Sequence, residues 1–178
     1  MRSDPWSKAL ACHASASAAF AAAAEAVEPA AWDRPRAEGK WSPAQIADHL
    51  IQTYDVLLRE VAGGAGMKVR TRSWLRPLLK LVYMRRILRG GWFPARAPAP
   101  PEIRPSKTPR DQNGAVALFR QRARELETAV QDVRAGKTTA QITHAYFGPL
   151  EPATGMLFCG RHIEHHLAQL ETLNRAGA

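Results

Sequence analysis

Cysteine is scarce in this 178-residue chain, and that scarcity removes two classes of fold. The only two, Cys12 and Cys159, lie far apart in predicted helices with neither metal-ligand nor redox spacing, which argues against a disulfide-stapled scaffold and against a thiolate metal centre. They read as buried free thiols. Long apolar runs are missing as well. The Ala-rich run from Ala9 to Val27 is broken by His13, Ser15, Ser17 and Glu25 and is too mild to span a bilayer. The opening Met1-Arg2-Ser3-Asp4-Pro5-Trp6 lacks the basic patch and apolar core of a signal peptide, so a cytoplasmic protein is expected. Acidic residues are in deficit: 16 Asp and Glu face 25 Lys and Arg, a formal net charge of +9. A surplus of that size bears on partners rather than fold. No groove-reading motif accompanies it, and the basic residues read as a solvated surface rather than a nucleic-acid footprint.

What is present reads as helices in one domain, residues 1–178. Apolar residues make up 46% of the chain, enough for a core without staples. Asp4 is an N-cap acceptor with Pro5 at the first helical position, and the first helix runs to about Val27, where Glu28-Pro29 stops it. After a connection over residues 30–41, Ser42, Pro43 and Gln45 make a capping box. Ile46, His49, Thr53, Val56 and Leu57 then share one face of a second helix that ends near Gly63-Gly64.

Ser73 to Arg89 is basic and amphipathic. Leu75, Leu78, Leu79 and Val82 sit on one side and Arg72, Arg76, Lys80, Arg86 and Arg89 on another, with Pro77 kinking or starting the helix. Packing of the leucine side on the bundle is the expected role. Docking on an anionic membrane or an acidic partner stands as the alternative. Gly90 to Pro109 holds six prolines and two glycines and reads as an ordered strap over the bundle end, anchored by Trp92, Phe93 and Ile103. The third bundle helix is expected from Thr108-Pro109, with Asp111 in its first turn, to Gly136; Val116, Phe119, Ala123, Leu126 and Val130 face inward. Thr138 to Pro152 forms a connection with a turn at Gly148-Pro149, plugged by Tyr146 and Phe147. The final helix spans about Pro152 to Asn174, with Phe158, His162, His166, Leu170 and Leu173 in one stripe. The fold class is all-α: a four-helix bundle with an extra basic helix and a long Pro-rich connection between bundle helices two and three.

Three of the six histidines fall within residues 162–166. His162 and His166 lie one helical turn apart, with Cβ atoms about 5–6 Å apart, while His165 points elsewhere. Two imidazoles cannot close a metal site, and His49 is the best third ligand. Neutral imidazole suits zinc, nickel, iron and copper, and three protein ligands leave positions open for water or substrate, as in catalytic sites. No fourth protein ligand is evident. The structural alternative is a set of core histidines hydrogen-bonded to neighbours. His144, His165 and Gln169 are candidates for substrate contact or proton transfer, and His144 could equally cap a backbone group.

His49-Leu50 on an early helix, with His162-x-x-x-His166-x-x-Gln169 on the last, resembles the DinB-like (DinB/YfiT-type) metal-binding superfamily of four-helix bundles. The block His144-Ala145-Tyr146-Phe147-Gly148-Pro149-Leu150 resembles its branch with His-x-Tyr-Phe-Gly-x-Leu before the last helix. The likeness covers residues 41–57 and 144–173; between them the chain matches only in being helical. The resemblance implies a divalent metal (Zn, Ni or Fe) on His49, His162 and His166, a small-molecule substrate and a homodimer. It further implies a metal-dependent transferase or hydrolase, with a low-molecular-weight thiol as co-substrate. The alternative is a non-catalytic ligand-binding or structural homodimeric bundle whose histidines carry no metal. A membrane-surface or nucleic-acid adaptor using Lys68 to Arg89 ranks third.

Overall fold

The computed structural model describes residues 4–35, 37–94 and 98–176, the last four by backbone only, so that Leu173 of the expected stripe lies outside the described side chains. Four long helices form the bundle: α1 (Pro5–Glu25), α2 (Pro43–Val61), α5 (Gln112–Arg134) and α6 (Pro152–Ala176). Between α2 and α5 runs one continuous helical rod made of α3 (Arg76–Leu79), a π-turn (Lys80–Met84) and α4 (Arg85–Gly90). A small antiparallel hairpin, β1 (Ile142–His144) and β2 (Gly148–Leu150), precedes α6, with Ile142 opposite Leu150 and His144 opposite Gly148.

Three seams of the bundle are closed: α6 on α1, α1 on α5 and α5 on α2. Small residues make the first of these tight. Ala9, Ala16, Ala21 and Ala24 of α1 are buried, and Gly160 of α6 sits where a Cβ would come within 3.0 Å of the His13 amide nitrogen and the Cys12 sulfur. Phe20, Phe119 and Tyr54 fill the centre, their rings 4.8–5.4 Å apart. A polar relay crosses it: Glu127 bonds His13 Nδ1 at 2.8 Å, His13 Nε2 meets the Tyr54 hydroxyl at 2.9 Å, and that hydroxyl meets Ser17 at 3.2 Å. Both His13 and Tyr54 are buried with their polar atoms partnered, so the relay ties α1, α2 and α5 together without an orphaned donor.

The fourth seam, between α2 and α6, is left open and roofed. The rod packs α4 on α6, the hairpin lies against both helices, and the turn at Pro101–Ile103 lies on α2. The Pro-rich connection is pinned there by Asp48, whose carboxylate accepts from the Ser106 amide at 2.7 Å. It therefore runs along the side of the bundle rather than across its end.

Three expectations change. The third bundle helix starts at Gln112, not Pro109, because the Asp111 carboxylate accepts from the Gly114 amide at 2.8 Å and so becomes the cap. The connection before α6 is a hairpin, because Gly148 adopts the left-handed φ of +71° that its turn needs and Glu60 accepts from the Thr143 amide at 2.8 Å. In the basic segment, Leu78 and Val82 face solvent, while Leu79, Tyr83, Met84 and Ile87 pack inward. The π-turn shifts the phase at Val82, since it adds one residue to the turn; Leu78 precedes it and already faces solvent from α3.

Gly155, in the first turns of α6, lies against β1: a Cβ there would meet Ile142 side-chain carbons at 2.6–2.8 Å. Gly155→Ala should therefore lower stability despite alanine's helix preference of about 1 kcal/mol, because overpacking costs about 1–3 kcal/mol. Urea denaturation of Gly155→Ala beside the wild type checks this; a midpoint equal to or above that of the wild type would refute it.

Candidate metal centre

The capping box sets the phase of α2. Ser42 Oγ accepts from the Gln45 amide at 3.2 Å and Gln45 Oε1 accepts from the Ser42 amide at 3.0 Å, which sends His49, two turns in, toward α6. Its Nδ1 lies 2.6 Å from the carbonyl oxygen of Ile103. A carbonyl only accepts, so Nδ1 carries the proton and Nε2 presents a lone pair to the seam.

On α6, His166 Nδ1 is 3.1 Å from Gln169 Oε1, and Gln169 Nε2 is 3.1 Å from His165 Nε2. The consistent pattern has His166 donating to the amide oxygen and the amide donating to His165, which leaves His166 Nε2 as a second inward lone pair. His162 Nε2 stands between the two, 3.3 Å from His49 Nε2 and 3.1 Å from His166 Nε2. The three ligand atoms all lie within 4.8 Å of one another.

This donor set fits a cation. With nitrogen–metal bonds of about 2.0–2.1 Å and tetrahedral angles, ligand nitrogens should be separated by about 3.3 Å; the two His162 pairs, at 3.3 and 3.1 Å, match this, and the whole set lies within 4.8 Å. Without a cation, at most one ring proton, that of His162, stands among three nitrogens whose other lone pairs face one another. Burial keeps the rings neutral, the form that ligates. It depresses the pKa of His49 to about 4, only partly opposed by the Ile103 carbonyl, and burial followed by neighbouring imidazole charge holds His162 and His166 well below the ordinary value.

Aromatic rings brace the cluster. Trp41 packs 4.8 Å from His49 and stacks along His166 at 6.1 Å, and Phe93 packs 5.6 Å from His162 and 4.9 Å from His165. Beside them, in the open seam, lies a cavity of about 1110 Å³. Its described lining is apolar and aromatic apart from the histidines, Gln169, a few hydroxyls and backbone, with Lys40 the one charged residue and no carboxylate.

The structure brings together His49, His162 and His166, with Gln169 bonded to His166. His165 was expected to point elsewhere; it lines the same cavity, 5.2 Å from the His166 ring. His144 also lines the cavity, but its Nδ1 accepts from the Tyr146 and Phe147 amides at 3.1 and 3.3 Å, which is the capping role. Sequence reasoning missed the Ile103 carbonyl, because a backbone acceptor leaves no residue-type signal. It also missed the relay through His13, although a lone histidine spaced with Ala9, Ala16 and Phe20 on an inward face was a visible cue.

The sequence model of the DinB superfamily matches residues 14–170, and the chain therefore belongs to that superfamily. No curated protein and no solved structure matches it significantly.

Burial depresses the pKa of His144 from 6.5 to about 4. Between those values the unfolded chain takes up a proton that the native chain refuses, so the stability His144 contributes is present above about pH 6.5 and is lost as pH falls toward 4. His144→Asn keeps an acceptor for the two amides and removes the titration. Urea midpoints should fall less steeply between pH 6.5 and 4 in the variant than in the wild type; equal slopes would refute this origin.

Proposed function

We propose that His49, His162 and His166 hold one divalent cation, zinc, nickel or iron, and that the chain is a metal-dependent enzyme acting on a small molecule in the adjoining cavity. The observation carrying this reading is the convergence of three neutral imidazoles through Nε2, two of them with Nδ1 already committed to an oxygen acceptor. Core histidines satisfied by the protein would turn a proton toward each acceptor instead of aiming lone pairs at one point.

When bound, the cation supplies a Lewis acid that lowers the pKa of a thiol or water and polarises a carbonyl. The chain's own residues do the rest. The Ile103 carbonyl and Gln169 hold the tautomers of His49 and His166, which is how outer partners maintain ligand geometry. Trp41, Tyr83 and Phe93 line an apolar chamber that excludes water from a bound substrate. His165, joined to Gln169, is the lining imidazole best placed to receive or return a proton. With Lys40 the only charged residue of the described lining, the cavity suits an anionic molecule, and a low-molecular-weight thiol is the co-substrate class we assign, in a transferase reaction. A non-catalytic binding role has one observation in its favour, the absence of any carboxylate base from the described lining.

Elemental analysis of protein purified without chelator tests the reading. About one equivalent of metal is expected in the wild type and none in His162→Ala or His166→Ala, while Gln169→Ala should bind about 10–100-fold more weakly. Wild-type protein that neither carries metal nor takes up zinc, nickel or iron on titration would leave the non-catalytic role. For metal-loaded protein, turnover of an electrophile that depends on an added thiol separates transfer from hydrolysis.

A further inference from the structure

The charge of this chain is not evenly spread. Nine of its 25 Lys and Arg, and none of its 16 Asp and Glu, fall between residues 61 and 101, so the remainder carries sixteen of each sign and the whole formal surplus of +9 resides in this one segment. That segment is also where the large exposed apolar side chains are. Trp74 is 67% exposed, Leu78 56%, Leu81 59%, Val82 42% and Trp92 46%, and these are all the large exposed hydrophobics among the described residues.

The two features share one element. Trp74, Leu78, Leu81 and Val82 recur along the turn before α3, through α3 and into the π-turn at a spacing that keeps them on the side of the rod away from the bundle, because Leu79, Tyr83, Met84 and Ile87 occupy the other side. Trp92 follows directly after α4, stacked on Tyr83 at 6.3 Å with the Arg86 guanidinium 5.2 Å above its ring. Arg72, Arg85 and Arg89 are exposed and have no carboxylate partner among the described residues. An outward row of tryptophan and leucine edged by unpaired arginines is the composition of a helix lying in a bilayer interface, its apolar side in the acyl boundary and its cations among phosphates. No helix of the described residues is long and apolar enough to cross a membrane.

We propose that the Trp74 to Trp92 face docks on an anionic phospholipid membrane, with the rod parallel to the surface. Charge decides against a second copy of the chain, since two such faces would bring like-charged segments together with no acidic residue in either. Apolar exposure decides against nucleic acid, which would use the arginines but not Leu78, Leu81 and Val82. The inner side of the same rod, through Leu79, Tyr83 and Ile87, walls the histidine cavity, so docking would set that cavity next to the lipid.

Flotation with phosphatidylcholine vesicles, with and without phosphatidylglycerol, tests the proposal. The chain should float with the anionic vesicles only, and less as salt rises. Two variants should each lose about tenfold or more of that partitioning while keeping wild-type helicity, since the altered residues are exposed: Arg72→Gln/Arg85→Gln/Arg89→Gln and Trp74→Ser/Leu78→Ser/Leu81→Ser. In the wild type alone, lipid-borne quenchers should reduce tryptophan emission. Failure to float with anionic vesicles at low salt overturns the proposal. So does full flotation of the apolar variant, which would make the face a purely electrostatic site for an acidic polymer. A change of oligomeric mass in that variant with flotation intact would instead make it an interface between copies.

Discussion

The hydrogen bond from His49 Nδ1 to the Ile103 carbonyl is the contact on which the site depends. It joins a helix of the bundle to a Pro-rich segment distant in sequence, and it fixes which nitrogen of His49 is bare. Without it the ring could place a proton in the seam, and the three nitrogens would relax into ordinary donor–acceptor pairs. The Gln169 amide does the same for His166 from within α6, where residues three apart are already neighbours. One constraint is local and the other is tertiary, and the cluster needs both.

The bundle supplies the space by closing three seams tightly and leaving the fourth apart. Alanines of α1 and Gly160 of α6 allow close backbone approach on one side, and the Phe20, Phe119 and Tyr54 cluster fills the centre. The relay of Glu127, His13, Tyr54 and Ser17 locks three helices. What remains between α2 and α6 is bridged by imidazoles and roofed by the rod, the hairpin and the Pro101–Ile103 turn. Residues that look like elaborations of a four-helix bundle are therefore the walls of its cavity.

The rod serves two environments. Its inner side, Leu79, Tyr83, Met84 and Ile87, continues the core around Phe147 and Phe158, while its outer side combines apolar bulk and positive charge. The π-turn makes this division possible, because an unbroken α-helix would carry the phase of Leu75 and Leu79 past Val82.

Much of this was legible in the sequence. Asp4-Pro5 and the Ser42 to Gln45 capping box located two helix starts, because capping is a matter of residues within three positions of one another. The spacing of His162 and His166 was equally local, and the combination with His49-Leu50 and the His144 block identified the superfamily. Local chemistry could not say that Asp111 rather than Thr108 caps α5, since both are competent caps and the surrounding backbone chooses. Nor could it reveal the outward phase of Leu78 on α3, the π-turn that shifts Val82, or the hairpin that Glu60 helps to hold at Thr143. The sequence by itself determined which side chains could ligate and where the helices begin, since both follow from residue type at short range. Only the tertiary structure decided which nitrogens face the seam and which leucines face water, because backbone acceptors and helix phase are set by contacts between segments far apart in the chain.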